Sequence, residues 1–282
     1  MNKDADMSFS GTVKIKSRHH DIGRFFSSMP PGVLFILIVV GYTAIIELGV
    51  FLGYQKFIGK IHVADNTIQT AVTAVFGLLA FILGFTFSLT WSRYANRSKL
   101  IISQAKAIGI CYLRCSFIPE KQKIEIRRLL YDYTDLLIKL PGGIDLEHGL
   151  SRIEQLHRLI WQQTASLAKE EMDGELRSIF IGSINDMISI VVERKTVALI
   201  FKIPDAIWST LLFLGFVGML AFGYQAGVEG LRKHIQLPWL PVAFGLVIVL
   251  ISDLNSSHSQ RHFKVPQQPL KDLIRMMDSN IS

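Results

Sequence analysis

The sequence predicts an all-α protein with four membrane helices in two hairpins and a cytosolic helical bundle inserted between them. Three observations point there. Half of the 282 residues are hydrophobic, mean hydropathy is +0.35, and charged residues make up 19%, below the roughly 25% usual in soluble domains. Asn66 to Ser92 runs 27 residues without a charge and Ala206 to Val228 runs 23, whereas a helix needs about 20 apolar residues to cross the hydrocarbon core. No segment sustains the two-residue alternation of a strand. Together these exclude a soluble globular enzyme, a disordered chain and a disulfide-stapled secreted module.

Residues 1–28 lack the apolar stretch and cleavage site of a secretory signal and read as a cytosolic tail. Residues 29–92 form the first transmembrane hairpin. Span one runs from about Gly32 to Tyr54, opened by Pro30 and Pro31, and span two from about Ala71 to Trp91. Residues 93–205 are the cytosolic insert, which holds 31 of the 53 charged residues. There Ile126, Leu129, Leu130, Tyr133, Leu137 and Leu140 recur at helical spacing, and Pro141-Gly142-Gly143 stops the helix. Leu146, Leu150, Ile153, His157, Ile160 and Leu167 mark a second helix, and Leu176, Ile179, Phe180, Ile184, Met187 and Val191 a third. Arg93 to Leu113 has no proline and one glycine, Gly109, so the second span is expected to run unbroken into the bundle. Residues 206–254 form the second hairpin. Its span three covers Ala206 to Val228 behind Pro204, and span four, the shortest, runs from about Leu237 to Leu254. Residues 255–282 read as a cytosolic C-terminal tail.

Basic residues orient the chain. Lys14, Lys16, Arg18 and Arg24 precede span one; Arg93, Arg97, Lys99 and Lys106 follow span two; Arg194, Lys195 and Lys202 precede span three; Arg261 and Lys264 follow span four. The two short connections carry only Lys56, Lys60, Arg232 and Lys233. Lysine and arginine accumulate on the cytoplasmic side, so both termini and the insert are placed there. The net charge of +7 then belongs to headgroup contact rather than to nucleic acid, for which no binding motif appears. Cys111 and Cys115, in a reducing compartment, read as core residues.

Span two sorts into two faces at about 100° per residue. Thr70, Ala74, Gly77, Phe81, Phe85, Ser88 and Ser92 share one, while Val72, Phe76, Leu79, Leu83 and Thr90 share the other. The first face is small or hydroxylated at its ends with two phenylalanines in its middle. One reading is close helix packing through small residues. The other is a pore in an oligomer, with hydroxyls lining a wet path and phenylalanine rings forming a hydrophobic constriction.

The run Phe81-Ile82-Leu83-Gly84-Phe85-Thr86-Phe87-Ser88-Leu89, with Arg93 and Tyr94 behind it, resembles the second-span motif of bestrophin channels. Over nearly the whole chain the sequence is similar to the bacterial bestrophin-like membrane proteins, through Ala107-Ile108-Gly109 with Tyr112-Leu113-Arg114, Ile203-Pro204 with Trp208, and Gln268-Pro269-Leu270. The resemblance implies a pentameric ion channel around a central axis, with four spans per subunit, cytosolic termini and a large helical cytosolic domain. It implies lipid and small inorganic ions as partners and a place in the inner membrane. Of the three hydrophobic residues that form the family's pore neck, two fall on Phe81 and Phe85 and the third on Gly77. The paired tryptophans of the motif are replaced by Tyr94 and Ala95. No acidic run follows span four, where Asp253 and Asp272 stand isolated, so calcium gating is not carried over. Bacterial members often have acidic and amide residues where this chain has Gln104 and Lys106. Both anion- and cation-selecting members exist, and an anion such as chloride is slightly favoured here.

Glu47 is the one ionisable residue well inside a span. It reads either as part of an ion path or as an interfacial hydrogen-bonding group. Asp253, Asn255 and Ser256 read as the end of span four. His258 and His262 have a metal-compatible spacing but no acidic or cysteine partner nearby, and the flanking serines suggest a loop. No phosphate-cradling loop, nucleophile elbow or zinc-protease helix is present. Neither enzyme activity, a cofactor nor a resident metal is expected. A non-conducting membrane scaffold, whose cytosolic bundle binds a protein partner, is the alternative to a channel.

Overall fold

The computed structural model describes residues 29–58, 66–142, 146–199, 203–229, 239–255 and 265–279. Among them the regular structure is entirely helical: α1 Pro31–Ile58, α2 Asn66–Arg114, α3 Glu120–Lys139, α4 Leu146–Ser166, α5 Gly174–Leu199, α6 Asp205–Val228, α7 Trp239–Asn255 and α8 Gln268–Ser279. Proline sets several starts, because its fixed backbone angle suits a first turn and its missing N–H is not needed there. Pro31 opens α1, Pro119 precedes α3, and Pro204 precedes α6, whose Ile207 N–H donates to the Pro204 carbonyl at 3.0 Å. At the start of α5, the Asp173 carboxylate accepts from the backbone N–H groups of Glu175 and Leu176 at 2.8 and 3.0 Å. That satisfies two of the donors a helix N-terminus leaves free.

Three helices among the described residues, α1, α2 and α6, are long and apolar enough to cross a membrane. The fourth expected span corresponds to α7, an apolar helix of 17 residues. At 1.5 Å per residue it is about 25 Å long, against a hydrocarbon core of about 30 Å. Its expected first residues, Leu237 and Pro238, lie outside the described segments.

The apolar helices share one core. Leu34, Ile38, Tyr42, Ile46 and Val50 form a buried stripe on α1, packed with Trp208, Leu211 and Met219 of α6 and Ile248 and Ile251 of α7. The α1–α6 crossing is made of glycine. A Cβ on Gly49 would collide with the backbone of Leu220 and Tyr224, one on Gly53 with Tyr224 and Val228, one on Gly223 with Ile46, and one on Gly227 with Val50 and Tyr54. Two facing Gly-x-x-x-Gly pairs thus let the backbones touch, which is how helices associate where lipid removes the hydrophobic drive between them. Different faces of α6 serve its two neighbours: Gly215, Gly223 and Gly227 meet α1, whereas Gly218 and Phe222 meet Phe76 of α2.

Beyond Trp91, α2 runs on without interruption as one helix of 49 residues, about 73 Å, into a second core. There Ile101, Ile108, Cys111 and Tyr112 pack with Ile126, Leu130, Tyr133 and Leu137 of α3, Ile153 and Ile160 of α4, and Phe180, Ile184 and Met187 of α5. These follow the expected stripes; Leu140, Leu150 and Val191 are only half-buried, the side chain of Leu146 lies outside the described residues, and two residues depart. Leu176 and Ile179 are 37% and 39% exposed: Leu176 stands in the first turn of α5 beside exposed Gly174 and Glu175, and Ile179 points about 100° away from the fully buried Phe180, its carbonyl accepting from Arg114 at 3.1 Å. Both cysteines are free and buried, as core residues should be.

Surface pairs follow helical spacing: Lys123 meets Glu120 at 3.0 Å, Arg128 meets Glu125 at 2.6 Å, and Lys139 meets Asp135 at 2.5 Å. Arg127 meets no carboxylate among these pairs. It donates to the Ser116 hydroxyl at 3.1 Å and stacks over the Tyr112 ring. The C-terminal segment contains α8. That amphipathic helix buries Leu270, Leu273 and Met277 in the bundle core, with Leu273 against Gly109 of α2.

Candidate pore-lining face

The second span presents the two faces drawn from its sequence, and the subunit uses only one of them for its own packing. Val72, Leu79, Leu83 and Thr90 are buried. Phe76 is half-buried, stacked on Phe244 of α7 with ring centres 5.9 Å apart and edge-on to Phe222 of α6 at 6.2 Å. On the other side Thr70, Ala74, Gly77, Phe81, Phe85, Ser88 and Ser92 are all exposed. Phe81 is 71% exposed and Phe85 55%, so neither fills a gap within its own subunit. Cβ atoms added at Gly77 or Gly84 would meet nothing within 4 Å. Glycine there is not required by a close approach inside the subunit.

The buried hydroxyls of this span turn back on their own helix. Thr86 donates to the Ile82 carbonyl and Thr90 to the Thr86 carbonyl, both at 2.7 Å. Their polarity is thereby satisfied without water. Ser88 and Ser92, by contrast, stand on the exposed face.

Glu47 is not brought to this face. It is exposed on α1, beside Leu48 and Phe51, which are themselves exposed, and α1 connects to α2 through α6 and α7. At the C-terminal end of α7, Asp253 and Ser252 are buried and the helix continues past them to Asn255. The Arg97 guanidinium donates to the Leu254 carbonyl. A cation there satisfies a carbonyl that a helix C-terminus leaves free and suits its negative dipole end. His258 and His262 lie outside the described residues. Among the described residues no group of three His, Cys, Asp or Glu side chains is arranged to hold a metal ion.

Below the span, the bundle grips α2 through a buried polar chain that sequence patterning does not reveal. Gln104, fully buried, donates from its amide to the Tyr133 hydroxyl at 2.7 Å and accepts from Arg194 of α5. Burial lowers the affinity of the Arg194 guanidinium for its proton and pushes the Tyr133 phenol above its usual range. The Tyr133 ring lies 5.1 Å from that of His157, whose pKa burial lowers to about 4. Gln104 is therefore the neutral link between α2, α3 and α5.

A longer count along the same helix face finds what the span alone misses. Past Ser92, steps of 100° bring Lys99 and Lys106 onto the line of Phe81 and Ser88, and both lysines are exposed. They also fit the positive-inside pattern, which conceals any second role.

Comparison with known proteins gives the family. Residues 41–258 match the model of the bestrophin-like domain. None of the curated proteins matches the chain. Among solved structures, a membrane protein crystallised as a point variant is 13% identical, with a TM-score of 0.63 over 88% of this chain and 97% of its own. Two point variants of a bacterial bestrophin homologue from Klebsiella pneumoniae are also 13% identical, with TM-scores of 0.62 and 0.61 over 88% of this chain and 97% of theirs. At that identity the likeness is one of fold.

Proposed function

The chain belongs to the bestrophin-like family, and from that premise we propose that it is an integral membrane ion channel, passively conducting small ions along a path lined by α2. The observation that carries this is the exposed face of α2. A lipid-facing helix has no use for Thr70, Ser88 and Ser92, and a helix packed within its subunit would not leave Phe81 and Phe85 exposed. Copies arranged around an axis, a pentamer by resemblance, turn these faces inward. Serine hydroxyls then wet the cytosolic side and Thr70 the outer side, with Ala74 and Gly77 between. Rings of Phe81 and Phe85 narrow the path and hold back ions by dewetting. Small anions such as chloride are slightly favoured over cations, as both kinds of selectivity occur in the family. The protein resides in the inner membrane with both termini cytoplasmic, and Glu47, on α1, stands apart from the path.

Purified protein reconstituted in liposomes tests this under separate chloride and sodium gradients, with the mass of the detergent-solubilised assembly measured alongside. Flux from an intact oligomer supports the channel. An intact oligomer that passes neither ion, even with Phe81 and Phe85 both replaced by alanine, refutes it and leaves the scaffold reading.

A further inference from the structure

We infer that Lys99 and Lys106 set the charge selectivity of this path, as an electropositive vestibule on the cytosolic side of the phenylalanine constriction. The inference rests on the channel reading and adds the residues that choose the ion.

The first observation is compositional. Across its 49 residues α2 contains no aspartate or glutamate, while it carries Arg93, Arg97, Lys99, Lys106 and Arg114. The second is positional. Because α2 is one unbroken helix, the direction of each side chain follows from its number. Lys99 lies five whole turns from Phe81, which returns it to the same bearing, and Lys106 falls within about 20° of it. Both lysines are exposed. Of the three arginines, Arg93 and Arg97 turn about 120° and 160° away from Phe81, Arg97 donating to the Leu254 carbonyl of α7, and Arg114, about 60° away in the last turn of α2, donates to the Ile179 carbonyl of α5. The two lysines are thus the cations of α2 that return to within about 20° of Phe81.

The distances suit a vestibule. Lys99 lies about 21 Å below Phe85 and Lys106 about 32 Å below it, along the helix axis. The two are about 10 Å apart, close to the Debye length at physiological ionic strength. Each copy around the axis adds two ammonium groups. Rings of one sign beside a low-dielectric constriction concentrate the opposite ion and repel the like one. One acid opposes the effect: Asp186 of α5 lines the same cytosolic groove as Lys106, with Ser103, Ser183 and Ser189. Lys99 therefore carries the larger share of the field, and removing the Asp186 charge should strengthen it.

Bilayer reversal potentials under a sodium chloride gradient test this on the full-length oligomer. The wild type should prefer chloride. K99Q/K106Q should lower the chloride-to-sodium permeability ratio by about tenfold, the low end of what a one-signed cleft achieves, and K99E/K106E should reverse the preference. K99R/K106R should keep the wild-type ratio, and D186N should raise it. Raising the salt to about 1 M should shrink all these differences through screening. A wild type that prefers sodium, or glutamine and glutamate variants that conduct with an unchanged ratio, overturns the assignment of the lysines and leaves the channel standing. Absence of current from the wild type and from the Phe81→Ala/Phe85→Ala variant overturns the channel reading and this inference together.

Discussion

Gly223→Leu should be among the most damaging single substitutions in the membrane core, and its cost follows from what surrounds Gly223. The first carbon of any side chain there would overlap the carbonyl oxygen of Ile46, with the Ile46 carbonyl carbon 2.9 Å and its Cα 3.0 Å away. These are backbone atoms of a helix and cannot rotate aside, so α1 and α6 must separate. Gly49, Gly53 and Gly227 depend on the same close approach, and separation loosens all four contacts. Overpacking costs about 1–3 kcal/mol where neighbours can yield, so about 3 kcal/mol is the expected size here. With about 2–4 °C of midpoint per kcal/mol for a chain of this order, thermal unfolding in detergent should shift down by about 6–12 °C. Gly77→Ala is the matched control, because a Cβ there meets nothing within 4 Å. Alanine is also the better helix former by about 1 kcal/mol, so that variant should be as stable as the wild type or slightly more so. Equal losses at Gly77 and Gly223 would refute the claim that contact geometry, rather than glycine content, holds α1 to α6.

Other substitutions probe the helical bundle built on the second half of α2. Gln104→Leu strands Arg194 and the Tyr133 hydroxyl in the core, and chemical denaturation should show a loss of about 3 kcal/mol, partly recovered by adding Arg194→Met. Leu273→Ala on α8 removes a side chain buried against Gly109 and should cost about 2–5 kcal/mol; no loss would mean that α8 does not hold the bundle. His157 is held near pKa 4 by burial, below its usual 6.5. The unfolded chain binds the extra proton between those values, so stability is full above pH 6.5 and falls as the pH drops towards about 4, by at most about 3 kcal/mol. Denaturation midpoints of the wild type and of His157→Phe across that window should differ in slope, with the variant flatter. Gly77→Phe, which supplies the missing third ring, should reduce ion flux while leaving the thermal midpoint within about 2 °C of the wild type.

The fold was legible where hydrophobic periodicity operates. Ile126 to Leu137 on α3 and Phe180 to Met187 on α5 are buried as their spacing requires, because one apolar stripe per helix has one core to face. The two faces of span two were legible for the same reason. Periodicity says nothing about distance of approach, so the glycine crossing of α1 and α6 stayed hidden, although Gly49-x-x-x-Gly53 and Gly223-x-x-x-Gly227 are plain in the sequence. It also says nothing about which polar residue enters a core: Gln104 looks like any solvated amide until Tyr133 and Arg194 surround it. The C-terminal helix was missed because Leu270, Leu273 and Met277 span only about two turns, too short a pattern to separate from a polar tail. Leu176 and Ile179 are exposed although apolar, because Leu176 stands in the exposed first turn of α5 and Ile179 points about 100° away from the buried Phe180.

The exposed phenylalanines of α2 are the point on which the account turns, and single-channel conductance of the Phe81→Ala/Phe85→Ala variant in a planar bilayer tests them most directly. Both rings lie largely outside their own subunit's packing. Their removal should therefore cost the subunit only about 1–2 kcal/mol each, a fraction of the 3–5 kcal/mol for a fully buried phenylalanine. The oligomer should persist and its conductance should rise above that of the wild type. A conductance equal to the wild type, from an assembly that has become less stable, would show that Phe81 and Phe85 join subunits together and do not constrict an ion path.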